Sequence, residues 1–458
     1  MNFIRHHLLL ILALAALVAG LRSYGITPRL LWADPQTRHS LIQAARVRRT
    51  WSRLARNLKL TLTEAPTSSV VSLVSTHVRV AHPTKPTVIV PKIRITADQY
   101  GIRIRVRTLP GVGLAEFEKH AQHLSDAWRA VRVTIDRPEA GMLHIRAVRR
   151  DPLVEPLAYD HNSSPSDLRT ITIGMDEYAE PVPMRLDGVA GIVINGLPGY
   201  GKTSLINEII VFLAVFDCVQ FVILDGKTGG DYDDIQQRAV LLIEDDIEQA
   251  NQLLEKLVEF RRQRSASIRA TLGTNNMWHV GPSKEWPLVV IIIDEAHTYF
   301  QQTKDGGDKR LKELNAKAAQ NAIHVQDLVK KGRSVGIITI LATQKGTGDA
   351  IPTFIRDVCS VSISFAVRTE EAAIAALGSE IKNYPDAHPM ALQDPAYIGV
   401  ASMQVTGRKG FTRVRIPHVT EKVTAAVCTD TAPLALRSSG SDIGKVELVD
   451  AGVAVLES

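Results

Sequence analysis

The chain has 458 residues but only three cysteines and few aromatic side chains. Cys218, Cys359 and Cys428 lie far apart in the sequence and have no metal-ligand spacing. This pattern excludes a disulfide framework and a cysteine-based zinc site, and it is typical of a reducing compartment. Hydrophobic residues make up 45% of the chain, which is enough for two or three domains with their own cores.

Outside the N-terminal part the sequence has no excess of positive charge, although the whole chain has a net charge of +6. Residues 1–60 contain ten Lys and Arg and one acidic residue, Asp34. The remainder contains 44 Lys and Arg against 47 Asp and Glu, so its own net charge is −3. The overall charge therefore gives no evidence for a nucleic-acid-binding surface in the rest of the chain.

No apolar run in the sequence is as long as a complete membrane span. LLLILALAALVAGL, residues 8–21, has fourteen residues, whereas a transmembrane helix needs about 20. Phe3 and Ile4 add apolar length, and nine of the ten nearby Lys and Arg follow the run, which predicts that the rest of the chain is cytoplasmic. We therefore expect a single-pass protein of the cell membrane with an anchor helix in residues 1–25. A buried or interfacial helix and a cleaved signal peptide are the alternatives.

The next two segments carry no pattern of catalytic residues. Residues 26–59 are predicted to form a basic juxtamembrane helix, and 60–160 a small α+β module, since YGIRIRVRTL, AVRVTIDR and LHIRAVRR alternate as strands do. The polar stretch at 160–167 is the predicted linker to the domain at 165–420, and residues 421–458 are predicted to be disordered. One stripe of the basic helix is interpreted as contacting lipid headgroups in preference to DNA. Its members are Arg46, Arg49, Arg53 and Arg56.

A phosphate-binding loop is the most informative feature of the sequence. VAGIVINGLPGYGKTSLINEIIVFLAVF, which begins at Val189, joins an apolar strand, a loop of the pattern G-x-x-x-x-G-K-T and a helix with a buried face. In such loops backbone N–H groups surround the phosphates of ATP or GTP at a helix N-terminus. Lys202 is expected to reach the β- and γ-phosphates, and the Thr203 hydroxyl is expected to bind Mg²⁺. The predicted nucleotide-binding residues are Gly196, Leu197, Pro198, Gly199, Tyr200, Gly201, Lys202, Thr203 and Ser204.

Four later apolar stretches are typical of buried parallel strands, and a polar residue ends each of them. In an open α/β sheet, residues at the carboxyl ends of the strands lie beside the ligand. Asp294 is predicted to hold Mg²⁺, and Glu295 is predicted to orient and deprotonate the attacking water. Gln344 is predicted to sense the γ-phosphate, with capping of its strand end as the alternative. The four strand ends are Asp225, Asp294, Gln344 and Arg368.

The stretch VVIIIDEAHTYF, residues 289–300, contains the letters of the DEAH helicase motif. A DEAH helicase needs two RecA-like cores in one chain. Only 90 residues follow Arg368, and they contain no second set of core strands. QVTGRKGFTRVRIPHVT is expected to be a closing hairpin. Because one core cannot complete its own catalytic site, neighbouring subunits are predicted to complete it, and His297 is interpreted as a coincidence.

Residues 165–420 resemble the FtsK/SpoIIIE family of DNA-translocating ATPases, especially the forms carried by actinobacterial conjugative elements. ITIGMDEYAEPVPMRL, KLVEFRRQRSASIRATLG and above all LVKKGRSVGIITILATQK, residues 328–345, carry the resemblance. ILDGKTGG is similar to the family's Asp-Pro-Lys-Gly segment, with Gly226 in place of proline. Leu197, Pro198 and Tyr200 depart from the usual loop residues, and the segment 301–322 is longer than usual.

The resemblance implies an α/β fold: a RecA-like P-loop core with a mainly parallel sheet, preceded by the α+β module and the N-terminal hydrophobic helix. It also implies an ATP- and Mg²⁺-dependent hydrolase that moves double-stranded DNA through a ring, expected to be a hexamer, at the membrane. Conjugal DNA transfer or chromosome partition is the expected process. A related ATPase of protein secretion is the alternative, although such proteins usually carry several cores in series.

The resemblance places the family's trans-acting arginine at Arg333. An exposed arginine favoured by the dipole at a helix end is the alternative. Arg261, Arg262 and Arg264 form the only compact basic cluster that we identify in the predicted motor domain. They either line a channel and contact DNA phosphates or form a solvated helix end balanced by the acids of residues 244–248.

Overall fold

The computed structural model describes residues 32–64, 86–159, 167–227, 229–304, 306–345 and 350–435. The chain divides into two compact units, Met1–Pro152 and Leu153–Ser458. The prediction of a single-pass membrane protein is contradicted, because none of the helices in the described ranges combines the length and the hydrophobicity of a membrane span. The anchor predicted in residues 1–25 lies outside the described residues.

The first unit places helices against one face of an antiparallel sheet. Its described elements are α1 (Pro35–Asn57), β1 (Leu62–Glu64), β2 (Thr87–Ile89), β3 (Ile93–Asp98), β4 (Gly101–Arg107), α2 (Leu114–Lys119), α3 (Ala121–Trp128), β5 (Arg132–Glu139) and β6 (Met142–Val148). The four-stranded sheet has the order β3-β4-β6-β5, and all its neighbours are antiparallel. Apolar side chains alternate with arginines along β4, so one face is buried and the other is exposed.

Helix α1 belongs to the core of this first unit. The carboxylate of Asp34 begins the helix by accepting hydrogen bonds from two N–H groups of its first turn. On its buried face, Trp51 stacks on Phe117 of α2. The sequence predicts a helix at residues 26–59 that is separate from the α+β module, whereas in the structure α1 shares one hydrophobic core with that module. The four arginines of the predicted stripe are all exposed.

The second unit is built on a large mixed sheet. Its described strands are β7 (Leu157–Ala158), β8 (Thr170–Asp176), β9 (Pro181–Arg185), β10 (Gly191–Asn195), β11 (Val219–Asp225), β12 (Ala239–Glu244), β13 (Leu288–Asp294), β14 (Ile337–Thr343), β15 (Val361–Ser364), β16 (Val400–Gln404), β17 (Phe411–Arg415) and β18 (Pro417–His418). Its described α-helices are α4 (Lys202–Ala214), α5 (Ile247–Leu272), α6 (His297–Phe300), α7 (Lys309–Gly332), α8 (Thr353–Arg356), α9 (Glu370–Leu377) and α10 (Glu421–Asp430).

Ten of these strands form one sheet in the order β12-β11-β13-β14-β10-β15-β16-β17-β8-β9. The six strands from β12 to β15 run parallel, and the others continue antiparallel. Strands β10, β11, β13 and β14 are buried along their whole length, which explains their continuous apolar sequences. The predicted α/β fold with a large, mainly parallel sheet is confirmed. The described residues give no support to the predicted N-terminal hydrophobic helix.

The order of the parallel strands brings three predicted site segments to one edge of the sheet. Strand β14 lies between β10 and β13 and pairs with both. The glycine-rich loop follows β10, Gln344 follows β14, and Asp294 ends β13. These segments therefore meet at the carboxyl edge, where an open α/β sheet binds its ligands.

The C-terminal part of the second unit is more ordered than the sequence predicts. Strands β16 and β17 form the predicted hairpin. Residues 421–458 are predicted to be disordered, but α10 covers the first ten of them and packs on α4. The prediction is wrong for α10 because Thr420 caps the helix, and Thr424 and Cys428 are buried. Residues 436–458 lie outside the described part.

Candidate functional site

The glycine-rich loop connects β10 to α4 in a conformation that requires glycine at two positions. Gly196 has φ +155° and Gly201 has φ +111°, both outside the range that side-chain-bearing residues normally adopt. A Cβ on Gly196 would lie 2.6 Å from the Cβ of Phe365, on the loop after β15. The N–H of Leu197 donates to the carbonyl of Ala366 at 2.8 Å, so this neighbouring loop holds the glycine-rich loop in place.

Lys202 is the first residue of α4, and it is almost completely buried. Its Nζ donates to the carbonyl of Gly196 at 3.0 Å and to that of Leu197 at 3.4 Å. Burial lowers the pKa of Lys202, and the negative charges of Glu295 and Asp294 oppose this shift. The ammonium group is therefore directed into the loop and lies in the electrostatic field of the acids at the end of β13.

Asp294 is buried at the end of β13 and accepts two hydrogen bonds. Tyr232 donates its hydroxyl to Oδ2 at 3.0 Å, and the N–H of Glu295 donates to Oδ1 at 2.9 Å. Burial raises the pKa of Asp294; the Glu295 N–H and the Tyr232 hydroxyl lower it, without cancelling the shift. Tyr232 has no motif that would single it out in the sequence, and its role follows only from this contact.

Glu295 has a constrained backbone and a fixed carboxylate. Its φ is +46°, in the left-handed region that residues other than glycine seldom adopt. Oε2 accepts a hydrogen bond from the N–H of Gln344 at 3.2 Å, and Nδ1 of His297 lies 3.2 Å from the same oxygen. Burial raises the pKa of Glu295. Three other effects lower it: the contact with His297, the hydrogen bond from the Gln344 N–H and the positive charge of Lys202. Together they leave the pKa of Glu295 below its ordinary value. Glu295 is therefore a carboxylate at neutral pH, as a general base must be.

Asp225 is a second buried acid beside Asp294. The two residues end the neighbouring strands β11 and β13 and are paired in register. Burial and, more weakly, the negative charge of Asp294 raise the pKa of Asp225 to about 7, although the N–H of Lys227 donates to Oδ1 at 3.0 Å. Oδ2 is buried and has no hydrogen-bond partner in the described part of the chain. The sequence indicates this residue only as the end of an apolar stretch and as the acid of the segment ILDGKTGG.

A cavity of about 750 Å³ joins several predicted site residues, but Glu295 is not among the residues that line it. Lys202, Thr203, Asp294 and Gln344 all line it. The hydroxyl of Thr203 and the carboxylate of Asp294 are the hard oxygen ligands that Mg²⁺ prefers. The orphaned Oδ2 of Asp225 lies on the strand next to Asp294, so these residues fit a magnesium ion.

The opposite wall of the cavity consists of residues that sequence analysis does not identify. This wall is largely apolar and comes from two distant segments that β7 and β18 join by a short parallel pairing. Ser204, which is predicted to bind nucleotide, lines the cavity, and its hydroxyl forms hydrogen bonds with the backbone of Pro417 and Val419. Tyr200 donates its hydroxyl to the carbonyl of Gln393 at 3.0 Å. The Tyr200 carbonyl also accepts a hydrogen bond from the N–H of the wall residue Gly399 at 3.1 Å, so this unusual loop residue connects the loop to the wall. Wall residues include Val154, Pro156, Leu157, Ile398 and Ile416.

Arg333 lies at the other edge of the sheet. It precedes β14, whereas Gln344 follows that strand. Seven strand residues rise about 3.3 Å each, so roughly 20 Å separates the two positions. The Arg333 side chain is exposed, and it has no ion-pair partner among the residues that the structure describes. The structure therefore does not bring Arg333 to the glycine-rich loop of its own chain.

Buried side chains hold the backbone of the turn formed by residues 333–336. The first carbonyl of the turn accepts a hydrogen bond from Nε1 of Trp278 at 3.1 Å. The carbonyl of Val335 accepts from Nε1 of Trp286 and from Nη1 of Arg264, both at 3.0 Å. The exposed guanidinium of Arg333 thus projects from a fixed backbone, which lowers the entropic cost of placing it against another molecule.

The arginine cluster of α5 does not form a basic surface. Arg264 is buried with its guanidinium over two aromatic rings, and burial lowers its pKa to about 9. Arg261 is buried in an ion pair with Asp327 at 2.5 Å. Of the three, only Arg262 is exposed. Neither interpretation offered for the cluster from the sequence is correct, because two of its three members stabilise the packing of α5.

Replacement of Tyr232 by Phe tests the electrostatics of Asp294. The variant lacks the hydroxyl donor that stabilises the carboxylate, so we expect the pKa of Asp294 to rise further. A hydrogen bond to a charged group contributes about 1.5 kcal/mol, which corresponds to about one pH unit. Since protonation of Asp294 begins at a higher pH in the variant, the acidic limb of the ATPase pH profile should move upward. Tyr384→Phe, which changes a tyrosine packed on Phe411 outside the cavity, is the control; equal profiles for both variants would contradict the assignment.

Comparisons with known proteins agree with this geometry. Residues 153–285 match the model of the FtsK/SpoIIIE family, and residues 25–149 match that of the actinomycete conjugal transfer protein N-terminal domain. The DNA translocase FtsK of Vibrio vulnificus is 22% identical over 327 residues, which are 60% of this chain and 31% of that protein. The DNA translocase FtsK of Bacillus cereus is 26% identical over 259 residues, which are 53% of this chain and 30% of that protein. The chain thus spans about a third of the length of these relatives.

The similarity extends to solved structures, of which we describe one example. It is the monomer form of the pCW3 conjugation coupling protein TcpA with ATPγS, with a TM-score of 0.51 and 15% identity. The match covers 74% of this chain and 93% of that one. At this identity the similarity establishes the fold and leaves the chemistry to be argued from the residues of this chain.

Proposed function

We propose that this chain, whose residues 153–285 belong to the FtsK/SpoIIIE family, is an ATPase that moves double-stranded DNA in conjugal transfer. One observation carries the proposal: the glycine-rich loop, Asp294 at the end of β13 and Gln344 converge on a single cavity at the carboxyl edge of the sheet. The matches to a conjugal transfer domain and to DNA translocases support the choice of DNA as the substrate.

The predicted site residues have distinct roles in the proposed hydrolysis. The oxygen of a water molecule bonds to the γ-phosphorus of ATP while the bond to the β–γ bridging oxygen breaks. Glu295 accepts the proton of that water, and Lys202 neutralises charge on the phosphate oxygens. Gln344 senses the γ-phosphate from the next strand. When bound, Mg²⁺ supplies further charge neutralisation, and Thr203 and Asp294 hold it.

The proposed hydrolysis uses an arginine beside the γ-phosphate, whereas Arg415, which lines the cavity, donates to the backbone carbonyls of Ile398 and Ala396. In related phosphoryl-transfer sites, an arginine stabilises the charge that develops on the γ-phosphate. Arg333 lies roughly 20 Å from the strand end of its own site, by the rise of β14, so we assign it to the site of a neighbouring subunit. A closed ring, which we propose to be a hexamer, gives every site such a neighbour.

ATPase assays without DNA, with duplex DNA and with single-stranded DNA test the proposal. We expect turnover by the full chain to rise with duplex DNA and to change less with single strands. Lys202→Ala should reduce turnover to background, because it removes the cation buried in the loop, while circular dichroism shows an intact fold. Stimulation by neither form of DNA would reject the DNA substrate alone. Turnover by Lys202→Ala at the wild-type rate would reject the site itself.

A further inference from the structure

The two units of the chain carry opposite net charges. Residues 1–152 contain 24 Lys and Arg against 9 Asp and Glu, which gives a net charge of +15. Residues 153–458 contain 30 against 39, which gives −9. A polyanion is therefore attracted to the first unit, whereas the net charge of the unit with the glycine-rich loop repels it.

Strands β3 and β4 concentrate part of this positive charge on one exposed surface. Arg94 and Arg105 stand directly opposite each other in the antiparallel ladder. The N–H of Arg107 donates to the carbonyl of Lys92 at 3.0 Å, so the next outward-facing pair also joins two cations. All four side chains are exposed. Like charges directly opposite each other destabilise a sheet, and a bound anion would relieve the repulsion.

Acidic side chains do not neutralise these four cations. Asp98, at the far end of β3, forms ion pairs with Arg103 at 2.9 Å and with Arg146 at 3.0 Å. Asp151 pairs with Arg132 at 2.5 Å. In the described part of the chain, no ion pair involves any member of the two outward pairs. The basic character of this end of the sheet is therefore uncompensated.

The four cations also line a common concave surface. The cavity has a volume of about 660 Å³, and the other side chains around it are uncharged. We call this surface the β3–β4 groove and define it by Lys92, Arg94, Arg105 and Arg107. Its remaining lining residues are Trp51, Ser52, Val90, Pro91, Ile93 and Met142.

We propose that the β3–β4 groove binds the phosphate backbone of duplex DNA; the proposal rests on the proposed function. Cations on alternate outward positions of two strands form a row that follows a line of phosphates and reads no base. The large apolar side chains exposed in the described first unit are Trp32, Ile42, Val88 and Val131, and none of them lines the groove. Trp51 lines the groove, but it is buried against Phe117 and offers no platform for single-strand bases. The apolar lining residues Val90, Ile93 and Met142 are only partly exposed, which disfavours insertion into a lipid layer.

Double substitution Arg94→Gln/Arg105→Gln in the full chain tests the groove. The measurement is the affinity for a fluorescent duplex of mixed sequence, without nucleotide, over a range of salt concentrations. Each lost phosphate contact reduces the slope of log K against log salt by about 0.9, so we expect a reduction of about 1.8 and about tenfold weaker binding. Lys119→Gln/Arg137→Gln, which removes two exposed charges of the same unit outside the groove, should leave the slope nearly unchanged.

Further measurements distinguish a DNA-binding groove from a folding defect and from a lipid-binding surface. Arg94→Lys/Arg105→Lys keeps both charges and should retain the slope, which distinguishes charge from a folding defect. The proposal for the groove would be rejected if Arg94→Gln/Arg105→Gln had the same salt slope as Lys119→Gln/Arg137→Gln while duplex DNA still stimulated its ATPase activity. That result would leave the proposed function intact. Loss of binding to phosphatidylserine vesicles with unchanged DNA affinity would assign the groove to a lipid surface and would also overturn the proposal. Absence of duplex binding by the wild-type chain would reject both proposals.

Discussion

Replacement of Glu295 by Gln is expected to reduce ATP turnover by about 10²- to 10⁴-fold, the range for loss of a general base. The substitution preserves the shape of the side chain, and the amide oxygen can still accept the hydrogen bond that the Gln344 N–H donates to Oε2. An amide cannot take the proton of the attacking water. The variant should therefore bind ATP with near wild-type affinity and retain it unhydrolysed, which nucleotide binding and single-turnover assays on the same protein will show.

Glu244→Gln is a matched control for this prediction. Glu244 ends β12 and is exposed, so the same substitution is made at the end of another strand of the same sheet. We expect this control to hydrolyse ATP at nearly the wild-type rate. An unchanged rate in the Glu295 variant would show that another group accepts the proton, and Asp225, whose pKa burial raises to about 7, would then be the first to examine.

His297 acquires a role that the sequence does not indicate. The four letters of the helicase motif are interpreted as a coincidence because the chain has a single core. The structure nevertheless places Nδ1 of His297 3.2 Å from Oε2 of Glu295. Both residues follow β13, and the left-handed backbone of Glu295 turns the chain at this point. The motif does not identify a helicase, but its histidine does contact the predicted base.

The sequence predicts the part of the site whose residues lie next to apolar strands. The glycine pattern, Asp294 and Gln344 each follow a continuous apolar run, and the ends of parallel strands meet at one edge of a sheet. The apolar wall of the cavity cannot be predicted in this way. Leu157 and Pro417 are paired, yet 260 positions separate them and each lies in a strand of two residues. Such short strands have no periodicity that a sequence pattern can detect.

The arginines of α5 show a different limit of sequence analysis. As a run of charges, Arg261, Arg262 and Arg264 are typical of a solvated surface. Helical spacing gives another result, because Arg261 and Arg264 fall four and seven residues after the buried Leu257. Two of the three therefore lie on the buried face of the helix. Arg264 can be buried because its guanidinium donates to backbone carbonyls, including that of Pro287. The pattern of charges in the sequence does not reveal such partners.

Arg333→Ala is expected to lower turnover by about 10³- to 10⁵-fold, which is the range for arginines that act in trans on phosphoryl transfer. ATP binding and assembly should not be weakened. The Arg333 side chain is exposed and lies at the edge of the sheet away from its own glycine-rich loop. An arginine that merely ends a helix would contribute at most about 1 kcal/mol, and its loss would leave the rate nearly unchanged. The two interpretations therefore differ by orders of magnitude in a single assay.

Mixed assemblies then show whether the arginine acts on a neighbour. Lys202→Ala chains have no working site but keep Arg333, and Arg333→Ala chains have the reverse defect. Mixing the two should restore measurable ATPase activity, since an intact loop meets an intact arginine at some interfaces. Absence of rescue in assemblies shown to contain both chains would exclude an action in trans.

Adding Trp278→Phe to one of the two chains at a time shows whether Trp278 positions Arg333. The substitution removes the Nε1 donor to the carbonyl of Arg333 and keeps an aromatic ring in its place. We expect the fixed backbone of residues 333–336 to position the guanidinium of Arg333. Adding Trp278→Phe to the Lys202→Ala chain should therefore reduce the rescue of ATPase activity, because the Lys202→Ala chain supplies the arginine. The same substitution in the Arg333→Ala chain should leave rescue unchanged, because that chain supplies only the site. A general loss of stability would lower rescue equally in both arrangements, so unequal rescue would identify Trp278 as a positioning residue for Arg333.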